Sequence, residues 1–403
     1  SVPMEFIDST FANLANYAKT HMAPGELTNL ISEGIIPGIG GIVIFIPQIA
    51  FLFLFISVLE ESGYMSRVVF LMDKIMRRYG LSGKSVVPLI SGTACAIPAI
   101  MSARNIENWK ERLITILVTP FITCSARLPV YAILIALIIP EKRVLGIFSL
   151  QGGTLMLLYL LGFGMAIFSA YLLNKILDLK TKSYFVVEMP NYKLPLFKNV
   201  AINVVEKTKS FVLGAGKIIL TLSIILWFLG SHGPAKGFDN AESLVIKKVK
   251  AENRLDDVAY LNDQISAHKL ENSYIGIMGK SIEPVIEPLG YDWKIGIAVV
   301  SSFAAREVFV GTLATIYSVG SHSDEETTIK NRMNAEIRPD GKKVFNFATG
   351  VSLLLFYAFA MQCISTLAIV KRETNSWKWP AIQLVFMSGV AYLSSLIAYQ
   401  LLR

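Results

Sequence analysis

Residues Val86–Met101 read VVPLISGTACAIPAIM, and this stretch decides the fold class of the chain. It is apolar enough for the interior of a membrane, yet Pro88, Gly92 and Pro98 interrupt it. Proline removes a backbone hydrogen-bond donor, and its ring clashes with the carbonyl four residues earlier, so a helix breaks there. Broken backbone survives in a membrane only where protein or a wet cavity satisfies its polar groups. The stretch therefore predicts a broken or re-entrant helix at a candidate transport site.

The rest of the chain has the composition of a membrane protein. Of its 403 residues, 53% are hydrophobic and 17% are charged, whereas soluble domains carry about 25% charged residues. Runs of about 20 apolar residues are long enough to cross a bilayer as helices. Six such runs are Gly41–Leu59, Leu113–Ile139, Leu150–Ile176, Phe211–Leu229, Phe347–Val370 and Trp379–Leu402. The sequence therefore predicts an all-α, polytopic membrane protein.

The charges of the loops predict their sides of the membrane, because short cytoplasmic loops collect Lys and Arg. Charged residues of 1–35 are mostly acidic, which predicts an external arm, and 177–210 is rich in lysine, which predicts a cytoplasmic loop. A polar insert, 231–273, carries both signs and is assigned to the outside. We expect 36–176 and 211–403 to hold one gate repeat each, with the spans that follow it.

A second interrupted apolar stretch, Ile295–Tyr317, repeats the organisation of the first. The residues that recur with a constant shift of 210 positions (274 − 64 = 210) are Tyr64, Gly80, Lys84 and Ser91 with Tyr274, Gly290, Lys294 and Ser301. In both halves a span precedes these residues, and a span with a central cysteine follows them. The loop charges give the first spans of the two halves opposite directions, and inverted repeats with broken helices are a recurrent transporter design. The sequence therefore predicts two inverted gate repeats.

Three cysteines are candidate ligands on a metal path. Cys95 lies in the first broken stretch, where a thiol and freed carbonyl groups favour a soft or borderline cation over Mg²⁺ or Ca²⁺. Cys363 lies among polar residues in mid-span, and Cys124 has a similar place in the first half. The alternative is that each cysteine is a small packing residue, while the Ser, Thr and Gln beside Cys363 join helices by hydrogen bonds.

Charged residues inside the apolar segments are further candidates, because an intramembrane charge is costly and is usually paired or functional. Arg306 and Glu307 point about 100° apart on a helix, which leaves Glu307 to offer a carboxylate to a cation; a structural ion pair is the alternative. Arg127 is a candidate gating residue. Glu60 and Glu61 end the first span, either as an acidic mouth or as interfacial caps. The remaining candidates are Met101 and Gln362 on the metal path, with packing as the alternative for Met101, and Pro98, Gly92 and Gly311 in gating.

Long motifs over nearly the whole chain resemble one family, the membrane domain of the bacterial ferrous iron transport protein B. The motifs are PQIAFLFLF at 47–55, LEESGYM at 59–65, GLSGKS at 80–85, PAIM at 98–101, CSARLPVY at 124–131, AREVFVGTL at 305–313, MQC at 361–363, STLA at 365–368, RET at 372–374 and WKWP at 377–380. One departure is notable, because the family usually has Gly and Asn beside the first cysteine, where this chain has Ala94 and Ala96. Without the Asn oxygen, we expect the first gate to bind metal differently or through Cys95 alone.

The resemblance implies a paired gate architecture in the bacterial cytoplasmic (inner) membrane, with Fe²⁺ as the transported substrate. The family's proposed iron-handling cysteines correspond to Cys95 and Cys363, with Cys124 beside them. It implies partners as well: the lipid bilayer, an N-terminal GTPase domain and a small cytoplasmic accessory protein, with homo-oligomerisation left open. We expect the GTPase domain and a first span to be missing here, so GTP and Mg²⁺ belong to the missing domain. This chain is then expected to bind no cofactor and to be no enzyme.

Three other functions are alternatives to iron transport. A gate-type carrier of nucleosides or other small organic solutes is the alternative within transport, although the cysteines argue against it. A membrane-embedded enzyme or receptor is disfavoured because all four histidines lie outside the spans. Nucleic-acid binding is disfavoured despite the net charge of +8, since no basic stripe is interleaved with aromatic residues.

Overall fold

The computed structural model is almost entirely helical, which confirms the predicted fold class. It describes residues 2–23, 25–140, 142–144, 148–177, 192–234, 243–246, 258–303, 306, 309, 312–313, 343–361 and 363–403. In chain order the α-helices are α1 Val2–His21, α2 Glu26–Asn29, α3 Ile36–Val43, α4 Phe45–Glu61, α5 Tyr64–Met76, α6 Val86–Gly92, α7 Ala96–Ser102, α8 Trp109–Val118, α9 Leu128–Ile138, α10 Leu150–Ile176, α11 Phe197–Phe211, α12 Lys217–Ser231, α13 Val258–Glu271, α14 Tyr274–Ile286, α15 Trp293–Ser302, α16 Phe347–Phe359, α17 Ile364–Thr374 and α18 Lys378–Leu402. Two short strands, β1 Arg143–Val144 and β2 Phe148–Ser149, pair antiparallel with Arg143 opposite Ser149.

Among the described residues, six helical segments are long and apolar enough to cross a membrane, as predicted. They are Glu26–Glu61, Trp109–Ile138, Leu150–Ile176, Phe197–Ser231, Phe347–Thr374 and Lys378–Leu402. Their large apolar side chains are exposed on the outer faces, as with Phe51, Phe55 and Val385. Such faces are unfavourable in water and suit lipid, so the chain is a multi-pass membrane protein.

The predicted break in the first interrupted stretch is confirmed. Helix α6 ends at Gly92 and α7 begins at Ala96, with the intervening residues outside any helix. Pro98 lies in the first turn of α7, where proline is tolerated because its missing N–H has no intrahelical partner anyway. In the second stretch, α15 ends at Ser302, and most of the residues that follow lie outside the described part.

Two spans predicted to be continuous are interrupted at their cysteines. In Leu113–Ile139, helix α8 gives way to 3₁₀ turns at Thr119–Phe121 and Ser125–Arg127 before α9 begins. Pro120 and Pro129 explain this break, because neither offers a backbone donor for a continuous helix. In Phe347–Val370, helix α16 ends at Phe359 and α17 begins at Ile364.

The duplication predicted from four residues extends to the bounds of the helices. Helices α5 and α14 begin and end with the same shift of 210, and so do the 3₁₀ turns Arg77–Tyr79 and Glu287–Leu289 that follow them. Each turn ends on a left-handed glycine, Gly80 with φ 80° and Gly290 with φ 84°. A left-handed residue without Cβ is the usual end of a helical segment. The two halves therefore share one local structure.

A matching tertiary hydrogen bond supports the same conclusion. Asp73 Oδ1 accepts from the Gly83 backbone N–H at 2.8 Å, and Glu283 Oε1 accepts from the Trp293 N–H at 3.2 Å. Both pairs join helix α5 or α14 to the residues after its glycine turn. A carboxylate at this place fixes the angle at which the chain enters the next helix.

The chain folds into two compact units whose segments alternate along the sequence. The first unit holds Ser1–Ser125, Tyr159–Ile224 and Ile364–Met387, and the second holds Ala126–Leu158, Ile225–Cys363 and Ser388–Arg403. The boundaries at Ser125 and Cys363 coincide with the two interrupted spans. Each unit thus combines segments of both sequence halves, whereas our predicted domain borders followed chain order.

Two predicted loops contain helices. Helix α11 occupies the end of the predicted cytoplasmic loop 177–210, and it packs on α4, with Val200 and Phe211 as its buried residues. Helix α13 lies in the predicted insert 231–273. The external arm is likewise largely helical, as α1 packs on α3. The sides on which these segments lie stay predictions.

Candidate functional site

Cys95 lies at the gap between α6 and α7. Its backbone is extended, with φ −156° and ψ 133°, and the N–H groups of Ala94 and Cys95 both donate to the Ser91 carbonyl, at 3.1 and 3.2 Å. The half-buried Cys95 side chain packs on an apolar cluster that includes Ile97, Ile100 and Phe53. Part of its environment is therefore that of a packing residue.

The break at Cys124 lies against the break at Cys95 within the first unit. The Ala94 carbonyl accepts from the Ser125 N–H at 3.3 Å and from Ser125 Oγ at 2.9 Å. The amide of Gln48, on α4, donates in turn to Ser125 Oγ. The residue before one cysteine is thus bonded to the residue after the other, so two half-buried thiols and several polar groups belong to one neighbourhood.

Two glycines allow this close approach. A Cβ at Gly92 would lie 3.2 Å from Thr119 Cγ2, and one at Gly162, on α10, would lie 3.0 Å from the Phe121 carbonyl oxygen. Both distances are tighter than ordinary packing allows, so a larger residue would displace the 3₁₀ turn before Cys124. Gly92 was a predicted gating residue, and here it lets α6 pack on that turn. Gly162, Gln48 and Ser125 were not among the predicted site residues, although Gln48 and Ser125 lie in the motifs at 47–55 and 124–131.

The second unit has a different polar centre, with two buried arginines. Arg127 is fully buried and Arg306 is 7% exposed. Arg127 Nη1 donates to the Ala358 carbonyl at 2.8 Å, and Arg306 Nη2 donates to the Ala360 carbonyl at 3.4 Å. These carbonyls end α16, where the helix leaves its last carbonyl groups without intrahelical partners. Guanidinium groups thereby stabilise the end of this helix, which also carries partial negative charge.

Cys363 follows this helix end and precedes α17. Its side chain is half-buried, and the neighbouring Met361, Ser365 and Thr366 are buried. Ser365 Oγ has no hydrogen-bond partner among the described residues. A buried hydroxyl such as that of Ser365 needs a hydrogen-bond partner. Its place two residues after Cys363 and the break in the helix therefore fits a polar path better than an apolar core. Gln362, the candidate next to Cys363, lies outside the described residues.

The other predicted site residues divide into three groups. Glu60 is exposed, and Glu61 accepts from Asn199 Nδ2 at 3.0 Å, so Glu61 also has a structural contact. Met101 is 7% exposed in the apolar cluster around Cys95, which is the packing alternative. Pro98 is buried in α7. Glu307 and Gly311 lie outside the described residues.

Among the described residues, no three His, Cys, Asp or Glu side chains lie close enough together to hold a metal ion. Thiols and backbone or hydroxyl oxygens, the groups present at these breaks, are groups that can bind a borderline cation. Weak binding is what conduction requires, since an ion must also leave.

Comparison with known proteins assigns the chain to a family. The Gate family model, described as "Nucleoside recognition", matches residues 42–137 and 212–377. A second model, "Ferrous iron transport protein B C terminus", matches residues 155–207. No solved structure matches the chain.

Curated relatives match nearly the whole chain. The Fe(2+) transporter FeoB of Leptospira biflexa is 44% identical over 99% of this chain and 54% of its own length. An Fe(2+) transport protein A/Fe(2+) transporter FeoB fusion protein of Porphyromonas gingivalis is 36% identical over 99% of this chain and 47% of its own length. The FeoB of Helicobacter pylori is 33% identical over 98% of this chain and 60% of its own length. The chain spans about half the length of the curated relatives it matches.

The two Gate matches fall on the two halves that share their helices and turns, and the C-terminal model covers the segment between those matches. The chain is a multi-pass protein of the bacterial inner membrane that belongs to the Gate family and to the ferrous iron transport protein B family.

Proposed function

We propose that this chain carries Fe²⁺ across the membrane and that Cys95 and Cys124 bind the ion within the first unit. The single observation that supports this most is the bonded pair of breaks, where Ala94 and Ser125 bring two half-buried thiols into one neighbourhood. Relatives named Fe(2+) transporter that match 98–99% of the chain support the identity of the ion. Cys363 belongs to the second unit and stays a separate candidate ligand.

The chemistry of these groups suits ferrous iron. Thiols favour soft and borderline metals, whereas carboxylate and water sites favour Mg²⁺ and Ca²⁺. The breaks add backbone carbonyls, which carry no charge and release an ion readily. A cysteine that binds a divalent ion gives up its proton, so ion binding and proton release are coupled.

The two units differ in how they treat a cation. The carbonyls at the end of α16 are occupied by Arg127 and Arg306, and their fixed positive charges repel a divalent cation in a medium of low dielectric constant. At the break at Cys95, by contrast, the Ala94 carbonyl accepts from the backbone N–H and the Oγ of the neutral Ser125. We infer that Fe²⁺ binds at the cysteine breaks and that the arginines fix the backbone beside Cys363 without binding the ion.

Partners follow from the same family. We infer that a GTPase domain elsewhere in the intact protein supplies GTP and Mg²⁺ chemistry, that this chain binds no cofactor and that it catalyses no reaction. The fusion of transport protein A with a FeoB relative in Porphyromonas gingivalis supports a small accessory protein as a further partner.

The test is anaerobic uptake of ⁵⁵Fe²⁺ into cells that carry the intact protein, at matched membrane abundance. We expect Cys95→Ser and Cys124→Ser each to lower uptake at least about tenfold, because a hydroxyl is a poor ligand for a borderline metal. Met101→Leu is the matched control, since it removes a buried sulfur from the same cluster with little change in volume and should leave uptake unchanged. Wild-type uptake in both serine variants would contradict the thiol path.

A carrier of nucleosides is the second candidate, because the Gate family is described by nucleoside recognition. The same cells distinguish the two functions when uptake of labelled nucleosides is measured beside that of iron. We expect nucleoside uptake at the level of cells without the protein, and no competition between nucleosides and ⁵⁵Fe²⁺. Saturable nucleoside uptake that survives the cysteine substitutions would favour the alternative.

A further inference from the structure

One buried carboxylate joins three helices of the first unit. The Glu373 side chain is 2% exposed, and it accepts from Arg104 Nε with both of its oxygens, at 3.0 and 2.8 Å. It also accepts from Arg112 Nη2 at 3.1 Å. Two-pronged contacts between arginine and carboxylate add geometric specificity as well as energy. The group fixes the positions of its partners more closely than a single ion pair does.

Each of the three residues lies on a helical segment next to a cysteine break. Arg104 lies in the 3₁₀ turn Ala103–Asn105 that continues α7, and α7 begins directly after Cys95. Arg112 lies on α8, which leads to the break at Cys124. Glu373 is near the end of α17, which begins directly after Cys363. One carboxylate therefore connects the helices that flank all three thiols.

An apolar cluster joins these helices as well. Ile100 of α7, Ile116 of α8 and Ile369 of α17 are buried in the same cluster. The Cys95 side chain packs on this cluster as well. Because packed interiors and helices transmit displacement, a shift of α17 relative to α7 changes the surroundings of Cys95. The ionic group and this cluster therefore both connect α17 to the helical segments on either side of Cys95 and Cys124.

Stability alone explains the group poorly. A buried ion pair is weak evidence for stability, because desolvation offsets much of the attraction. The arginine side chains are 47% and 23% exposed, so water can solvate them when the carboxylate is removed. The charged group adds a defined register of the three helices. Setting a register is the best-attested role of buried ionic groups.

We propose that Glu373 is a positioning residue for iron transport, which holds α7, α8 and α17 in the register that places the cysteine breaks. The proposal rests on the proposed function for its consequence and on the geometry of the first unit for its cause. Loss of the carboxylate removes the ionic contact of α17 with the other two helical segments, so the position and the surroundings of the Cys95 thiol change.

The experiment compares Glu373→Gln with Glu107→Gln in the intact protein. Glu107 is the matched control, because it also accepts from a cation, Lys84 at 2.8 Å, yet its side chain is 88% exposed. The first readout is the rate at which N-ethylmaleimide labels Cys95 when the other two cysteines are serine. The second is ⁵⁵Fe²⁺ uptake with all cysteines present, at matched abundance, and thermal unfolding in detergent verifies the fold.

We expect Glu373→Gln to change the labelling rate at least about fivefold and to lower uptake by a similar factor, as for a coupling of ordinary size; Glu107→Gln should change neither. Unchanged labelling in folded Glu373→Gln protein would overturn the proposal, and so would altered labelling with normal uptake. If Glu373→Gln does not fold, Arg104→Lys, which keeps the charge but loses the fork, replaces it with the same expectations. If the wild-type protein shows no ⁵⁵Fe²⁺ uptake while Glu373→Gln still changes the labelling rate of Cys95, the proposed function is refuted. The positioning role of Glu373 then stands.

Discussion

At the scale of single residues, the glycines that end the two repeated turns leave no space for a larger side chain. Gly290 has φ 84°, and a Cβ there would lie 2.3 Å from Tyr399 Cε2. We expect Gly290→Ala to lower the free energy of unfolding by about 2 kcal/mol or more, from backbone strain and overpacking together. Gly389→Ala is the control, because its Cβ meets nothing within 4 Å.

Thermal unfolding of the two variants in the same detergent measures this difference. The control lies inside helix α18, where alanine is favoured over glycine by about 0.5–1 kcal/mol, so its midpoint should stay the same or rise slightly. Equal midpoints for Gly290→Ala and wild type would mean that the turn relaxes without cost, contrary to the contact with Tyr399.

Arginine residues show why part of the site escaped sequence analysis. The break before Cys363 has neither proline nor glycine, so no local signal interrupts the apolar run Phe347–Val370. The helix ends there while Arg127 and Arg306 occupy carbonyls of Ala358 and Ala360. Arg127 is 231 residues from its acceptor, and only the folded chain brings such groups together. By contrast, Gly92 and Pro98 predict the break at Cys95 from the local sequence.

At the scale of secondary-structure elements, the duplication predicts matched stabilities. Asp73 and Glu283 each accept a backbone N–H from the segment after the glycine turn. We expect Asp73→Ala and Glu283→Ala each to cost about 1–3 kcal/mol, since a donor loses a charged acceptor in both halves. Amide hydrogen exchange should show faster exchange at Gly83 in the first variant and at Trp293 in the second.

The two variants are controls for each other, because each should leave exchange in the other half unchanged. Asp73 additionally pairs with Arg77 at 2.5 Å, which is partly exposed, so the larger effect is expected in the first half. Protection lost throughout the chain from either substitution would instead indicate that the two units unfold together.

The elements were predictable where composition alone determines them. The six apolar runs and the first break follow from local patterns, and the structure confirms them. The ionic group at Glu373 could not be foreseen, because its partners are 269 and 261 residues away along the chain. Helix α11 was missed because its sparse apolar stripe lies within a lysine-rich segment.

The exposed ion pair between Lys84 and Glu107 gives a prediction about pH. Hydrogen bonding from Lys84 holds the pKa of the Glu107 carboxyl below its ordinary value of 4.5. A carboxyl whose pKa falls on folding stabilises the protein above its unfolded pKa, and this contribution disappears as the pH drops through the folded value. We expect the small difference in unfolding midpoint between wild type and Glu107→Gln to be constant above about pH 5 and to vanish in acid.

Midpoints measured from pH 7 down to pH 3 in low salt test this expectation, and about 1 M salt should remove the difference at every pH by screening. A difference that grows in acid would show that another group titrates with the pair. The same series supplies the baseline against which Glu373→Gln, the buried counterpart, is compared.

At the scale of the whole molecule, the loop charges predict on which side of the membrane each loop lies. The fold alone does not test this prediction. Three spans carry the chain from the external arm to the cytoplasmic middle loop if the first broken stretch returns to its own side. Leu27 and Leu194 are exposed, at 68% and 92%, so a cysteine at either position is accessible without disturbing a core. We expect a membrane-impermeant maleimide to label Leu27→Cys in intact spheroplasts and Leu194→Cys only in inverted vesicles, each in a background without other cysteines. Labelling of both from the same side would contradict the positive-inside assignment, and the inverted orientation of the two repeats, which depends on opposite directions for their first spans, would have to be abandoned with it.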